Sequence, residues 1–347
     1  MDIREVSQED RSPELIETLV NVWERSVRET HDFLTENDIA AISSEVPCAL
    51  ATIALLALAY VDDRPVAFAG AQHGKLEMLF VDPGARKRGI GGALLAYGIE
   101  TWNVHRLDVN EQNTQACEFY EHEGFAVVAR SSADSAGRPF PLLHLGRAKG
   151  ARAEMRSGDW FDAHAPELAV DRDSARLVFR CFNNDSSLSE GEQTDLLRDL
   201  FGAWGLDSIV SDGVKADYGY NIFIGKGCFF NYNCTFLDGA PIIFGDDVWV
   251  GPGCIFATPI HPLIGQERAR QFDADSTPHL WERNLPIVVG DDVWLASGVT
   301  VNPGVTIGEG AVIGSGSVVT KDVPPHTLAF GNPCRAVREV TESDRIF

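Results

Sequence analysis

The stretch Pro286–Thr320, PIVVGDDVWLASGVTVNPGVTIGEGAVIGSGSVVT, decides the fold of the C-terminal half of this chain. Aliphatic residues recur at Val289, Leu295, Val301, Ile307, Ile313 and Val319, each six apart. A small or turn-forming residue follows each one, at Gly290, Ala296, Asn302, Gly308, Gly314 and Thr320. A fixed period of six is too short for a helix plus a strand, so each repeat must be one short strand and a corner. Three such strands complete a triangular coil, with the aliphatic residue inside and the small residue at the tight corner.

Working outward, an earlier tract carries Ile224, Phe230 and Phe236, then Phe244 and Val250. The non-repeating segment 257–286 separates the tracts and is long enough to project as a loop, where function concentrates. Before the coil, residues 154–206 read as helical. Ser189 and Glu192 stand at capping-box spacing, which predicts a helix over Ser189–Trp204. The small, basic run GRAKGARA at 146–153 breaks the pattern and marks a linker.

The first half mixes two periods. Residues 13–27 place Leu15, Ile16, Leu19, Val20, Val22 and Trp23 at helical spacing. Leu55–Tyr60, Pro65–Gly70 and Leu76–Val81 read as strands. Arg86-Lys87-Arg88-Gly89-Ile90-Gly91-Gly92 then opens a helix running to about Trp102. Leu107–Val109 is a short strand, and Thr114–Glu123 a helix stopped by Gly124.

Composition excludes several classes. The chain has 347 residues, and 44% hydrophobic content is enough for sizeable cores, against disorder. A net charge of −22, spread over both halves, argues against a phosphate-backbone binder, so no nucleic-acid partner is expected. The longest apolar run, Ala49–Val61, is interrupted by Thr52 and shorter than the roughly 20 residues a span needs. The start, MDIREVSQED, has no apolar leader region. Seven cysteines form no CxxC pair, which predicts reduced thiols in a cytoplasmic protein and no metal site.

The hexad tract resembles the left-handed parallel β-helix acyltransferases. Segments YGYNIFIG, NYNCTFLDGAP, HPL and GNPCRAVRE, with EMRSGDWFDAHAPELAVDR ahead of the coil, are similar to the maltose/galactoside O-acetyltransferases and their helical cap. The first half resembles the GNAT N-acetyltransferases, an α+β fold, through THDFL (30–34), MLFVDPGARKRGIGGALL, NEQNTQACEFYEHEGF and GRPFPLLHL. The expected boundaries are 1–148 for the GNAT domain, 149–153 for the linker, 154–210 for the cap, 211–340 for the coil and 341–347 for a tail.

These resemblances imply site residues. In the first half, Val81 and its strand align the pantetheine arm of acetyl-CoA. Arg86, Arg88, Gly89, Gly91 and Gly92 hold its pyrophosphate at a helix N-terminus. Asn113 contacts the cofactor and Tyr120, two helical turns on, protonates the leaving thiolate. A core aromatic is the alternative for Tyr120. His31 and Glu29 wall the acceptor pocket, or His31 simply packs. In the second half, the resemblance makes His261 the general base toward a sugar-like hydroxyl, with Glu282 orienting it or pairing with Arg283 or Arg268. Asn231 and Asp217 bind the acceptor, Asn231 otherwise capping a coil corner. Trp294, Ser297, Thr320, Lys321, Arg335 and Arg338 line the CoA groove, with a structural role open for Trp294. The sequence departs from galactoside members at Gly239, where those carry a second Asp.

The expectation is a bifunctional acetyl-CoA-dependent N- and O-acetyltransferase, a homotrimer acting on small amine and hydroxyl acceptors. The alternative is an O-acetyltransferase whose GNAT half only binds acetyl-CoA.

Overall fold

The computed structural model describes residues 1–269, 271, 272 and 278–347. The chain packs as two compact units, Met1–Arg130 with Phe140–Ala148, and Ser131–Pro139 with Lys149–Phe347.

The first unit is a seven-stranded sheet with helices on both faces. Its elements are β1 (Asp2–Glu5), α1 (Pro13–Thr30), α2 (Glu36–Ser43), α3 (Val46–Thr52), β2 (Leu55–Val61), β3 (Arg64–Gln72), β4 (Lys75–Val81), α4 (Ile90–Trp102), β5 (Arg106–Asn110), α5 (Thr114–His122), β6 (Phe125–Ser131) and β7 (Leu142–Arg147). The strand order is β1-β2-β3-β4-β5-β7-β6. Strand alternation sorts the faces. Leu56 and Leu58 of β2 pack with Leu19, Val22 and Trp23 of α1, whereas Ala57 and Ala59 face Leu94 and Leu95 of α4. The small residues let α4 approach the sheet closely. Helices α2 and α3 lie outside the sequence-derived elements; α2 is started by a Thr35–Asp38 capping box and α3 carries Pro47 in its first turn.

One pairing controls this unit. Strands β4 and β5 run parallel and pair only at Lys75–Arg106 and Leu76–Leu107. Beyond these residues they part, leaving the end of β4 without a partner on that side.

The second unit is a parallel β-helix capped by helices. Its inward residues stack one turn on the next in three rows. Trp204, Ile224, Phe244, Val289 and Ile307 form the first. Val210, Phe230, Val250, Leu295, Ile313 and Ala329 form the second. Ala216, Phe236, Phe256, Val301 and Val319 form the third. Hexad residues from both tracts point inward and are buried.

The coil begins earlier than residue 211, with the strand Ala203–Trp204. Consequently the helix predicted to Trp204 ends at Leu200, and Gly202 N–H already donates to Ile222 O at 2.9 Å. The early turns hide their period because each takes 20 residues, as from Ile224 to Phe244, against 18 from Leu295 to Ile313.

Helices α6 (Ala151–Arg156), α7 (Pro166–Asn184) and α8 (Glu190–Leu200) precede the coil. The Ser189–Glu192 capping box is present. Phe179, Phe182, Leu197 and Phe201 join the coil core, closing its first turn against water. The expected linker 149–153 overlaps α6. Its Arg152 is buried and bidentate on Asp171, at 2.7 and 2.8 Å, so the basic character that suggested a linker is a cap contact.

The segment between the tracts is anchored at its base, where Pro259–Ile260 pairs antiparallel with Trp281–Asn284, which pairs with Phe161–Asp162. Its centre lies outside the described residues. All seven cysteines are free thiols. No described helix is long and apolar enough to cross a membrane.

Phe236 stacks on Phe256 at 5.3 Å and meets Phe244 edge-on. Phe236→Ala should therefore cost the coil about 3–5 kcal/mol. Chemical denaturation of the full chain should show the coil transition moving while that of the first unit stays; a loss under about 1 kcal/mol would contradict this core.

Candidate active sites

In the first unit, the gap between β4 and β5 opens into a cleft of about 420 Å³. Val81, Arg86, Gly89, Gly91, Gly92, Asn113 and Tyr120 all line it, from four different elements or their junctions. Gly89 is the N-cap of α4 with φ 75°, a left-handed conformation that glycine takes without a Cβ penalty. It aims the first-turn N–H groups of α4 at the cleft, a ready anion site. Arg88 is exposed and outside the lining, so the structure does not bring it to this group; Lys87 lines the cleft instead. Arg25 of α1 grips Asp82 at 2.5 Å, and Asp82 Oδ1 accepts from Gly84 N–H, fixing the loop that leads to Gly89. Nothing in the local sequence pattern marks this long-range pair.

Asn113 is the N-cap of α5 rather than a helix-face residue; its Oδ1 accepts from Ala116 N–H at 3.1 Å. Its Nδ2 faces His31 Nε2 at 3.5 Å. Tyr120 is 8% exposed, packs on Phe119 and Phe125, and also lines the cleft, so it belongs to both the core and the cleft wall. Burial pushes its phenol up, which keeps it protonated. His31 lines the cleft, whereas Glu29 is exposed on α1 and does not.

In the second unit, His261 opens the segment that interrupts the coil. Its Nε2 lies 4.0 Å from Glu282 Oε2. Glu282 is also held by Asn284, whose Nδ2 donates to Glu282 Oε1 at 3.1 Å and to Met155 O at 3.2 Å. Burial raises the Glu282 carboxyl, opposed by Asn284 and then His261. Arg172, from α7, donates to Tyr218 Oη at 2.6 Å and acts electrostatically on both Glu282 and Asp217. Burial raises Asp217 too, against Arg172 and Arg176. Asp217 follows Lys215–Ala216, the third strand of the coil. Sequence reasoning missed Arg172 and Asn284, one inside a cap helix and the other inside a non-repeating segment. Gly239 is explained by Asn284: a Cβ there would fall 2.4 Å from its Oδ1, so the amide occupies the space that a longer side chain at 239 would need.

Asn231 and Trp294 meet elsewhere, in a hollow of about 570 Å³ on one coil face shared with Phe229 and Trp249. Trp249 and Trp294 are stacked in register and are 60% and 52% exposed. Asn231 Oδ1 accepts from Tyr232 N–H, as a corner residue does. Ser297, Thr320, Lys321, Arg335 and Arg338 are exposed on the coil surface. Arg338 is bidentate on Asp344 at 2.7 Å, so it is committed to the C-terminal segment. Among the described residues, no group of three His, Cys, Asp or Glu side chains could hold a metal ion.

A glycine-started helix facing a parted sheet, followed by a coil of hexads, defines an acyltransferase of acetyl-CoA-dependent type. Comparison with known proteins makes this particular. Residues 53–127 match the acetyltransferase (GNAT) domain, 154–205 the maltose acetyltransferase hexapeptide capping motif, and 286–321 the bacterial transferase hexapeptide. Peptidyl-lysine N-acetyltransferase YjaB of Salmonella typhimurium is 39% identical over 129 residues, 37% of this chain and 89% of that protein. The solved structure of a maltose O-acetyltransferase from Clostridium difficile 630 is 39% identical, covers 56% of this chain and all of its own, and has a TM-score of 0.51. That of a galactoside acetyltransferase in complex with coenzyme A is 31% identical over 57% of this chain and 96% of its own, with a TM-score of 0.52. The chain belongs to the GNAT acetyltransferases through its first half and to the maltose O-acetyltransferase type of hexapeptide acyltransferases through its second.

Asp238 supplies a test of the second unit's electrostatics. It is fully buried, and its Oδ1 accepts from Asp217 and Tyr218 N–H groups while its Oδ2 has no partner. Burial first, with Asp217 adding to it, lifts its carboxyl to about 7. The folded state thus prefers the protonated acid, and stability falls as pH rises from the ordinary aspartate value through about 7. Asp238→Asn keeps the Oδ1 acceptor and removes the titration. The variant's melting temperature relative to wild type should rise between pH 5 and 8; a pH-independent difference would contradict this assignment.

Proposed function

We propose that the chain is bifunctional, transferring acetyl from acetyl-CoA to an amine at the first site and to a hydroxyl of a sugar-like acceptor at the second. The observation that carries this is that each unit holds its own acid–base group in its own setting: Tyr120 in the cleft beneath α4, and His261 beside Glu282. At the first site the α4 N-terminus with Arg86 takes the pyrophosphate, Val81 and its unpaired strand end align the pantetheine, and Asn113 holds the cofactor. Tyr120 delivers its proton to the departing thiolate. The lysine-directed name of the YjaB relative makes a lysine-type primary amine the first acceptor to try.

At the second site His261 takes the hydroxyl proton as that oxygen attacks the thioester. Glu282 orients the imidazole and Asp217 with Arg172 binds the acceptor. Asn231 and Trp294 line a separate hollow, and the cofactor residues Ser297, Thr320, Lys321, Arg335 and Arg338 are exposed on the coil surface. A homotrimer would cover the exposed Trp249 and Trp294 beside half-buried Phe229 and bring one chain's face to another's His261. A cytoplasmic setting suits seven free thiols and an acetyl-CoA supply.

Separated chemistry is the test. His261→Ala should lower O-acetylation roughly 10²–10⁴-fold and leave amine acetylation intact. Tyr120→Phe should do the reverse. Loss of both activities in either variant, with fold intact, would contradict two sites; amine acetylation unaffected by Tyr120→Phe would favour a first half that only binds acetyl-CoA. Sedimentation of the full chain should give a trimer, and a stable monomer would sink the interfacial second site.

A further inference from the structure

The first site lacks an assigned proton acceptor for the amine. We propose that His31 is its general base, taking the proton of the attacking amine at Nε2; this rests on reading the site as an N-acetyltransferase. The hydrogen-bond inventory fixes the tautomer. Thr30 Oγ1 donates its one hydrogen to Ser26 O at 2.8 Å. The same oxygen lies 2.8 Å from His31 Nδ1, so there it must accept, and Nδ1 carries the proton. The lone pair is then on Nε2. Its neighbour confirms the direction, because Asn113 Oδ1 is already taken by Ala116 N–H, which leaves the Nδ2 donor facing Nε2 at 3.5 Å.

His31 lines the cleft that also holds Tyr120, and its Nε2 lone pair, which accepts from Asn113 Nδ2 at 3.5 Å, takes the amine proton when that long contact opens. Burial lowers the imidazole to about 4; the hydrogen bond to the Val27 backbone opposes this, Arg86 pushes the same way as burial and Asp32 opposes, while the ring packs on Phe33 at 5.3 Å. The ring is therefore neutral at physiological pH. A base this weak does not strip a free ammonium. It accepts the proton once the C–N bond forms, when the nitrogen has become far more acidic. The amine must arrive neutral.

The nearby carboxylates fit less well. Glu29 is exposed outside the cleft. Glu123 lines it, but at the far end: a Cβ on Gly92 would sit 3.1 Å from its Oε1, beside the anion-binding turn of α4.

The step balances. The amine nitrogen bonds to the thioester carbonyl carbon and gives its proton to His31 Nε2. The tetrahedral intermediate collapses, the C–S bond breaks, and the thiolate takes the Tyr120 proton. Amide and free thiol leave, and the proton on His31 returns to Tyr120 through water.

The test uses the full chain with His31→Gln, which keeps a hydrogen-bond acceptor but cannot take up a proton. Amine acetylation should fall roughly 10²–10⁴-fold in kcat. Acetyl-CoA affinity by calorimetry and O-acetylation should stay at wild-type values. In His31→Ala, added imidazole should restore part of the rate. His31→Gln activity near wild type, while Tyr120→Phe is inactive, would overturn the assignment of the base and leave the N-acetyltransferase reading standing. A wild-type chain that binds acetyl-CoA yet acetylates no amine would overturn both.

Discussion

Strands β4 and β5 share only two residue pairs before they part, and the first site exists because of that parting. The two strands are held together at their joined end. Lys75 Nζ reaches Asp108 Oδ2 at 2.9 Å across the pair, and His144 Nδ1 meets Asp108 Oδ1 at 2.6 Å from β7. Burial would raise the Asp108 carboxyl, but Lys75 and then His144 outweigh it and hold it well below its ordinary range. This partly buried triad holds the strands together at one end of the gap, while they part at the other. Tyr120, His31 and the α4 N-terminus then converge on the opening.

The second unit obeys the converse rule. Its backbone bonds run from each turn to the next, so extra residues are taken up at the corners and in the segment between the tracts while the strand pairs are kept. The chain leaves this ladder after Ile255–Ala257 and re-pairs antiparallel at Pro259–Ile260. His261 stands just beyond that re-pairing, with Glu282 supplied by the returning strand. Both candidate sites therefore sit where regular pairing stops, on scaffolds that are otherwise closely bonded.

Much of this was legible in the sequence. The hexad is a strict steric rule, so Leu295 or Ile313 could be placed inside the coil without coordinates. The Gly89-Ile90-Gly91-Gly92 turn carried its own signal through strand, glycine and helix order. What escaped notice was set by distance in sequence. Two extra residues per early turn masked the period at Trp204, Val210 and Ala216. Arg152 read as a linker residue because its partner, Asp171, lies a helix away. His31 could not be separated from a packed histidine until Thr30 and Asn113 were seen on its two nitrogens, and Asn284 only acquires a role once Gly239 is found against it. Local pattern fixes elements; side chains recruited across the fold decide the chemistry.

Two cofactor sites on one chain is the claim on which the account stands or falls. Calorimetric titration of the 347-residue chain with coenzyme A measures it directly. The account predicts two molecules bound per chain, one of them lost in Gly91→Glu, where a carboxylate enters the anion-binding turn. A single site per chain, unaffected by Gly91→Glu, would contradict it.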